Sequence, residues 1–147
     1  MAAEQLVVFQ LATEEYAVSI ANVKEIIQYN GATKLPNTLK YMKGVINLRG
    51  KVIPVIDLAA KFELPMDKTL DKKALIIETA GRDIGLVVDA VTEVIRLEDS
   101  AIEAITGIVN SNEFIKAIGK TNDRLLIILD LDKLFSNDEM KIINDVA

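Results

Sequence analysis

The chain of 147 residues contains no cysteine, no histidine and no tryptophan. Without cysteine there is no disulfide framework and no thiolate nucleophile, which fits a cytosolic protein. Without histidine the chain lacks the usual proton shuttle of catalysis, and without both residue types it lacks the preferred zinc ligands. We therefore expect no catalytic residues, no metal site and no cofactor.

Basic residues are also scarce. The chain has 17 Lys and Arg against 22 Asp and Glu, a formal net charge of -5. A surface that follows nucleic-acid phosphates needs clustered cations, so we expect no nucleic-acid binding. Apolar runs such as Leu125–Leu129 are far too short to cross a bilayer, so we expect no membrane insertion.

What the chain does contain is an internal repeat. The first repeat comprises Val7–Ile27 and Tyr41–Phe62, and the second comprises Leu75–Ile95 and Phe114–Phe135. The first blocks align with a shift of 68 residues and the second blocks with a shift of 73. The second repeat therefore has five extra residues in the loop that joins its blocks, between positions 96 and 113.

The repeat predicts the domain organisation. Each half is too small to bury a large core by itself, because short chains bury a smaller share of their surface. We predict a single domain over residues 1–147, with two similar subdomains of about 1–65 and 66–147 on a shared interior. Glu63–Lys72 is the expected linker. Whether strands are exchanged between the subdomains stays open.

The periodicity is mostly that of short strands with polar turns between them, which predicts a mainly β fold of two small barrels. The predicted strands are Gln5–Leu11, Glu15–Ile20, Val23–Tyr29, Gly44–Leu48, Lys51–Leu58, Ala74–Thr79, Asp83–Val88, Val91–Leu97, Ala117–Lys120 and Arg124–Asp130. Helical turns are expected at Leu58–Phe62 and Leu131–Phe135. Ser136 and Glu139 form a capping-box pattern that predicts a short C-terminal α-helix.

Two aspartates occupy equivalent places in the repeats. Asp57 and Asp130 each end a strand, and a pair of carboxylates can perform acid–base or metal chemistry. An aspartate in this place also caps the helical turn that follows it, and we favour this structural role.

The hairpin tip Asn47–Gly50 is more informative, because the repeat does not preserve it. The corresponding residues of the second repeat, Lys120–Asp123, read KTND instead of NLRG. Since the scaffold does not require NLRG, Arg49 is a candidate for gripping a partner's carboxylate with two parallel hydrogen bonds. Alternatively, Arg49 pairs internally with Glu25, and the two roles are compatible.

Three blocks carry a family resemblance. They are LVVFQLATEEYAVSIANVKEI at 6–26, GVINLRGKVIPVIDL at 44–58 and GLVVDAVTEVI at 85–95. In this order they resemble the CheW coupling proteins of bacterial chemotaxis. The resemblance implies two SH3-like five-stranded β-barrel subdomains packed on a shared hydrophobic core. It also implies a non-enzymatic cytoplasmic adaptor that couples methyl-accepting chemoreceptor tips to the regulatory domain of the histidine kinase CheA, recruited to membrane-associated receptor arrays.

The resemblance also suggests binding residues. Val23, Glu25, Arg49 and Val94 match family positions for receptor binding, in the groove between the subdomains.

Four other residues match positions for kinase binding. Ile20, Tyr29 and Ala32 do so on the outside of the first subdomain, and Ile108 falls in the enlarged loop of the second.

The sequence departs from the family pattern at three alanines. Ala12 and Ala17 stand where glycine is common, which predicts less permissive turns. Ala59 stands where arginine is common, so a charge contact made by that arginine is not expected here.

Other functions stay open. The chain could be a CheW-like module of a larger CheV-like or CheA-like signalling protein. From a different class, it could be a carboxylate-dependent metal or hydrolytic enzyme that uses Asp57 and Asp130. An SH3-like reader of proline-rich peptides is disfavoured, because its aromatic groove is missing.

Overall fold

The computed structural model describes residues 3–65, 71–104 and 114–146. Within them the chain forms eleven β-strands and two α-helices, and the predicted mainly β class is confirmed. In chain order the elements are β1 (Ala3–Leu11), β2 (Glu14–Ser19), β3 (Val23–Gln28), β4 (Met42–Leu48), β5 (Lys51–Asp57), α1 (Leu58–Lys61), β6 (Lys73–Thr79), β7 (Arg82–Val88), β8 (Ala90–Glu98), β9 (Ile102–Ala104), β10 (Ile115–Thr121), β11 (Arg124–Leu129) and α2 (Asn137–Asp145).

The strands form two sheets that exchange hairpins. The six-stranded sheet has the order β8-β1-β2-β11-β10-β9, and the five-stranded sheet has the order β3-β6-β7-β5-β4. The β1–β2 hairpin of the first half therefore lies among strands of the second half, and the β6–β7 hairpin lies among strands of the first. Five strands were expected in each sheet, and β9 makes the sixth. Three residues are too few for strand periodicity to show in the sequence.

The repeat is visible in the strand register. Parallel pairing places Val55 of β5 opposite Gly85 of β7, and Ile128 of β11 opposite Ala17 of β2. The two pairs correspond under the shifts of 68 and 73 residues. The sheets are thus related by approximate two-fold symmetry, and each is completed by a hairpin from the other half.

A core shared by both sheets is confirmed. It includes Val7 and Phe9 of β1 and Leu75 and Ile77 of β6, all nearly or completely buried. Strand alternation turns the intervening residues to the other face of each sheet. On the six-stranded sheet that face carries its own apolar cluster, formed by Leu6, Val8, Ala17, Leu97, Ala117, Leu126 and Ile128.

A buried carboxylate forms hydrogen bonds at the place where the chain crosses from one sheet to the other. Asp89 follows β7, and its side chain accepts hydrogen bonds from the Ala12 backbone N–H at 2.8 Å and from Lys72 Nζ at 2.6 Å. The Asp89 N–H in turn donates to the Gln10 carbonyl at 3.0 Å. These contacts tie the exchanged β1–β2 hairpin to the crossover. In the sequence, Asp89 is a charged residue within an apolar run, and this pattern did not predict its role.

The helix-capping predictions are confirmed. Asp57 Oδ1 accepts from the Ala60 N–H at 3.1 Å, and Asp130 Oδ1 accepts from the Asp132 N–H at 3.1 Å. The capping box of Ser136 and Glu139 opens α2. Neither α-helix in the described residues is long and apolar enough to cross a membrane.

The expectation for the alanines was correct at one turn and wrong at the other. Ala12 lies at the tip between β1 and β2 with a φ of 54°, a conformation that costs an alanine more than a glycine. Ala17 does not lie in a turn, because it is a fully buried residue of β2. A small side chain fits there because that face of β2 packs inside an apolar cluster.

Candidate partner-binding surfaces

The β4–β5 hairpin has a tight two-residue turn. Both central residues have positive φ, 51° at Arg49 and 85° at Gly50, and Asn47 Oδ1 accepts from the Gly50 N–H at 2.8 Å. The turn of the second repeat has the same backbone shape, with φ of 44° at Asn122 and 63° at Asp123. The scaffold therefore needs this turn geometry but not an arginine at its tip.

Arg49 forms a two-pronged ion pair with Glu25. Its Nη1 donates to Glu25 Oε1 at 3.1 Å, and its Nη2 donates to Glu25 Oε2. The arginine side chain is 71% exposed and the glutamate side chain 30% exposed. The hydrogen bond from Arg49 lowers the pKa of the Glu25 carboxyl, and Glu25 raises the pKa of the guanidinium. The proposed internal pairing is thus present, and it joins the hairpin tip to the opposite edge strand β3.

A second charged group lies beside this pair. Asp83 of β7 accepts from Lys24 Nζ at 3.1 Å and from Lys51 Nζ at 2.7 Å. Hydrogen bonding from Lys51 is the largest cause that lowers the pKa of Asp83, while burial acts in the opposite direction. Together the two groups line a polar cleft of about 290 Å³ at one end of the five-stranded sheet.

The same place in the six-stranded sheet carries a related cluster. Arg124 Nη2 donates to Glu15 at 2.7 Å and to Glu93 at 2.8 Å. Under the repeat, Arg124 and Glu15 align with Lys51 and Asp83. A cation–carboxylate tie between the parallel strands is therefore common to both sheets, and a guanidinium at the hairpin tip occurs only in the first repeat. Aligning charged residues through the two shifts would have found this pattern.

The two predicted receptor valines lie on different sheets. Val23 of β3 is opposite Ile77, and Val94 of β8 is opposite Val7. Both opposite residues belong to the shared core, so both valines lie on the core side of their edge strands. Val23 packs partly into this core, whereas Val94 is 50% exposed. Of the four predicted receptor residues, the structure shows direct contact between Glu25 and Arg49.

Sequence reasoning named Val94 but missed three other exposed apolar residues, Ile26, Val52 and Leu125. Ile26 and Val94 correspond under the repeat, as do Val52 and Leu125, and all four are 42% to 62% exposed. Ile26 and Val94 face the shared core by register, and Val52 and Leu125 do so by alternation with buried residues of the same strands. They form the uncovered margin of the shared core. Their apolar character at equivalent positions of the two repeats was the available signal.

Two of the predicted kinase residues meet in one cleft. Tyr29 and Ala32 line an open cleft of about 520 Å³ between the end of β3 and the edge of β4. Burial raises the pKa of the Tyr29 phenol. The cleft is lined by Ile27, Gln28, Tyr29, Asn30, Gly31, Ala32, Thr33, Val45, Ile46, Asn47 and Leu48.

The other two kinase residues lie elsewhere. Ile20 is 39% exposed in a 3-10 turn between β2 and β3, and it does not line the cleft. Ile108 lies outside the residues that the structure describes. The cleft and the charged hairpin tip share Leu48, so the two surfaces adjoin along β4.

Comparison with known proteins identifies the family of the chain. Residues 5–139 match the model of the CheW-like domain family. The chain belongs to the CheW family. The chemotaxis protein CheW of Klebsiella aerogenes is 34% identical over 147 residues, covering 98% of this chain and 89% of that protein. The crystal structure of the scaffolding protein TtCheW from Thermoanaerobacter tengcongensis superposes with a TM-score of 0.85 at 38% identity, covering 94% and 96% of the two chains.

The larger-protein alternative is less supported than CheW itself. The chemotaxis protein CheV3 of Helicobacter pylori is 28% identical over 136 residues, and this chain covers only 43% of it. The CheW of Klebsiella aerogenes matches over nearly its whole length. The similarity to CheW is therefore greater in identity and in coverage.

Proposed function

We propose that this CheW family member is a chemotaxis adaptor that couples cytoplasmic chemoreceptor tips to the regulatory domain of the histidine kinase CheA, at membrane-associated receptor arrays. The family membership and the scaffolding protein of similar structure support a chemotaxis adaptor. One observation carries the bridging role. A charged hairpin tip and an open, partly apolar cleft adjoin on one sheet without coinciding.

The receptor surface combines apolar area with an exchangeable ion pair. Val23 and Val94 offer apolar contacts on the core side of two edge strands, while Glu25 and Arg49 offer charges. An amphipathic helix binds such a surface by burying its apolar side chains and aligning its charges. Because Arg49 is largely exposed, a receptor carboxylate can reach its guanidinium and share or replace the bond to Glu25.

The kinase surface comprises the cleft with Tyr29 and Ala32, together with Ile20. Ala32 is half-buried at the cleft wall, so a bulky charge at this position would project into a contact made by apolar atoms. Ile108 provides a second kinase contact in the enlarged loop of the second repeat.

Two substitutions test whether the surfaces are separable. Ala32→Glu should abolish binding to the CheA regulatory domain, because it leaves a desolvated charge in an apolar contact. Glu25→Lys should abolish binding to a receptor cytoplasmic fragment, because it reverses one charge of the pair. Each variant should retain the other interaction, measured by isothermal titration calorimetry with the separate partners.

Ala60→Glu is a matched control, since Ala60 is exposed and lines neither cleft. It should leave both affinities unchanged. If Ala32→Glu and Glu25→Lys weaken both interactions equally, the partners compete for one site and the bridging role is wrong.

A further inference from the structure

The chain between β3 and β4 carries two of the four predicted kinase residues, Tyr29 and Ala32, and has little secondary structure of its own. This bridging segment, residues 29–41, contains Tyr29 and Ala32 and is fixed near its start by one bridge to β4. Thr33 and Val45 exchange both backbone hydrogen bonds at 2.9 Å. Backbone bonds also hold the two ends of the segment, from the Tyr29 N–H to the Lys72 carbonyl at 3.1 Å and from the Asp57 N–H to the Tyr41 carbonyl at 2.8 Å. A second anchor, made by side chains, restrains the stretch between Thr33 and Tyr41, which would otherwise retain conformational freedom.

That second anchor is a single carboxylate of α2. Glu139 Oε1 accepts from the Ser136 N–H at 2.8 Å and so completes the capping box. Glu139 Oε2 accepts from Lys61 Nζ at 3.0 Å and from the Tyr41 hydroxyl. The two oxygens therefore connect the first turn of α2 to the end of the bridging segment.

Lys61 of α1 is the third member of the group formed by Tyr41 and Glu139. Its side chain is only 10% exposed, and Nζ lies 4.7 Å from the Tyr41 ring centroid and 5.1 Å from that of Phe135. A cation between two aromatic faces and a carboxylate is held by attraction from all three. Burial lowers the pKa of Lys61, so removing the Glu139 carboxylate would leave a buried cation without its counter-ion.

Helix α2 also lies along the middle of the bridging segment. Ile143 is fully buried in the shared core, so the helix is anchored to both sheets. Its C-terminal end shares a cleft of about 440 Å³ with Leu35–Thr38, lined from the helix side by Ile142, Asp145 and Val146. The segment thus follows the helix from Leu35 to its tie at Tyr41.

The second repeat shows what is special about this tie. Tyr41 aligns with Phe114, and the carbonyls of both residues accept an equivalent backbone hydrogen bond, from Asp57 at 2.8 Å and from Asp130 at 2.7 Å. Phenylalanine fills the same place without a hydroxyl. Both repeats therefore have an aromatic ring at this place, and only the first has the hydroxyl that bonds Glu139.

We propose that Tyr41 and Glu139 are positioning residues that hold the bridging segment in the shape that CheA binds. This rests on the proposed function, because the kinase surface is assigned to that segment. Helix α2 then contributes to kinase binding without touching the kinase cleft.

Tyr41→Phe tests the proposal by copying the second repeat. The affinity for the CheA regulatory domain should fall roughly three- to tenfold, the range that one lost hydrogen bond supports. Receptor-fragment affinity should stay within about twofold of the parent value, since Arg49 and Glu25 are not attached to the segment. Amide hydrogen exchange should become faster over residues 33–42 and stay unchanged in β6 and β7.

Ser136→Ala is the matched control. It removes the hydroxyl that accepts from the Glu139 N–H at 3.1 Å, so it weakens the helix start but leaves the bond between Tyr41 and Glu139 in place. It should lower the melting temperature and leave CheA affinity near the parent value. If it weakens CheA binding as much as Tyr41→Phe does, helix stability explains the effect and the positioning role is overturned.

The outcomes also separate this proposal from the function on which it rests. If Ala32→Glu abolishes CheA binding while Tyr41→Phe changes neither CheA affinity nor amide exchange, the positioning role is wrong and the adaptor function stands. If Ala32→Glu itself leaves CheA binding intact, the kinase surface is misassigned and both proposals are overturned.

Discussion

Arg49 has a backbone conformation that is unfavourable for arginine, with a φ of 51°. A non-glycine residue with positive φ is uncommon, and asparagine adopts this conformation more readily than arginine. The second repeat accordingly has Asn122 at the equivalent turn position. An exposed ion pair with Glu25 contributes little to stability. These observations support the receptor contact that we propose for the guanidinium.

Arg49→Ala should weaken receptor binding by about 1 to 3 kcal/mol, because a charge-assisted hydrogen bond is lost. The melting temperature should change little. Arg49→Asn is the control for the turn, since it copies the second repeat and should be at least as stable as the parent protein. Titration calorimetry and differential scanning calorimetry provide the two measurements. A large fall in melting temperature with receptor binding intact would show that the arginine is purely an internal staple.

The lowered pKa values of three carboxylates predict that the folded state becomes less stable at acid pH. Hydrogen bonds from Arg124, Arg49 and Lys51 are the largest causes that lower the pKa values of Glu15, Glu25 and Asp83, respectively. Since each folded pKa lies below its unfolded value, the folded state binds fewer protons. The stabilisation is complete above the unfolded pKa values, about 4. It is lost as the pH falls through the lower folded values.

Urea unfolding at a series of pH values checks this direction. The free energy of unfolding should decrease from about pH 5 downward. Asp83→Asn should reduce the slope of this decrease, because the group no longer titrates. A free energy of unfolding that rises toward low pH would contradict the assignment of these ion pairs.

At the scale of the elements, the close approach of the bridging segment to β4 depends on Gly44. This residue has a φ of 138°, and a Cβ atom placed on it would lie 1.9 Å from the Thr33 carbonyl oxygen. The repeat places Ala117 at the corresponding position of β10. An alanine in place of Gly44 could not make this contact with Thr33 without a shift of the backbone.

Gly44→Ala should destabilise the protein by about 1 to 3 kcal/mol, because either Thr33 moves away or the strand distorts. Chemical denaturation measures the change. Gly85→Ala is the control, since a Cβ there meets its nearest neighbours at 3.5 Å, an ordinary contact. Equal losses in both variants would indicate a general effect of removing glycine from a strand.

The elements were the most predictable part of the structure. All ten predicted strands are present, because alternation and turn residues act locally. The hairpin exchange was not predictable, since alternation is the same whichever neighbour a strand takes. The tie between Tyr41 and Glu139 joins residues 98 positions apart, and no local pattern marks it. The contact between Glu25 and Arg49 was predicted only as one of two compatible roles of Arg49, the other being contact with a partner.

For the whole molecule, hairpin exchange makes the halves depend on each other. A fragment of residues 1–65 contains β1 and β2 but lacks the β11 and β8 partners that flank them. A fragment of residues 66–147 has the converse defect, because β6 and β7 lose β3 and β5. Each fragment also exposes its part of the shared apolar core.

Neither fragment should therefore fold alone, whereas an equimolar mixture should recover the dispersed amide spectrum of the full chain. Two-dimensional NMR of each fragment and of the mixture provides the test. A sharp, dispersed spectrum from either fragment by itself would show that the halves are independent, despite the exchanged strands.

The exchanged hairpins also bear on how the repeat could have evolved. Two separate chains of a single-repeat ancestor could complete these sheets only as a symmetric, strand-swapped homodimer, whose folding would depend on protein concentration. Joining the halves makes folding unimolecular and frees the two surfaces from symmetry. The first half then carries an arginine at its hairpin tip and a tyrosine that bonds α2, while the second carries asparagine and phenylalanine. Identical subunits could not differ in this way.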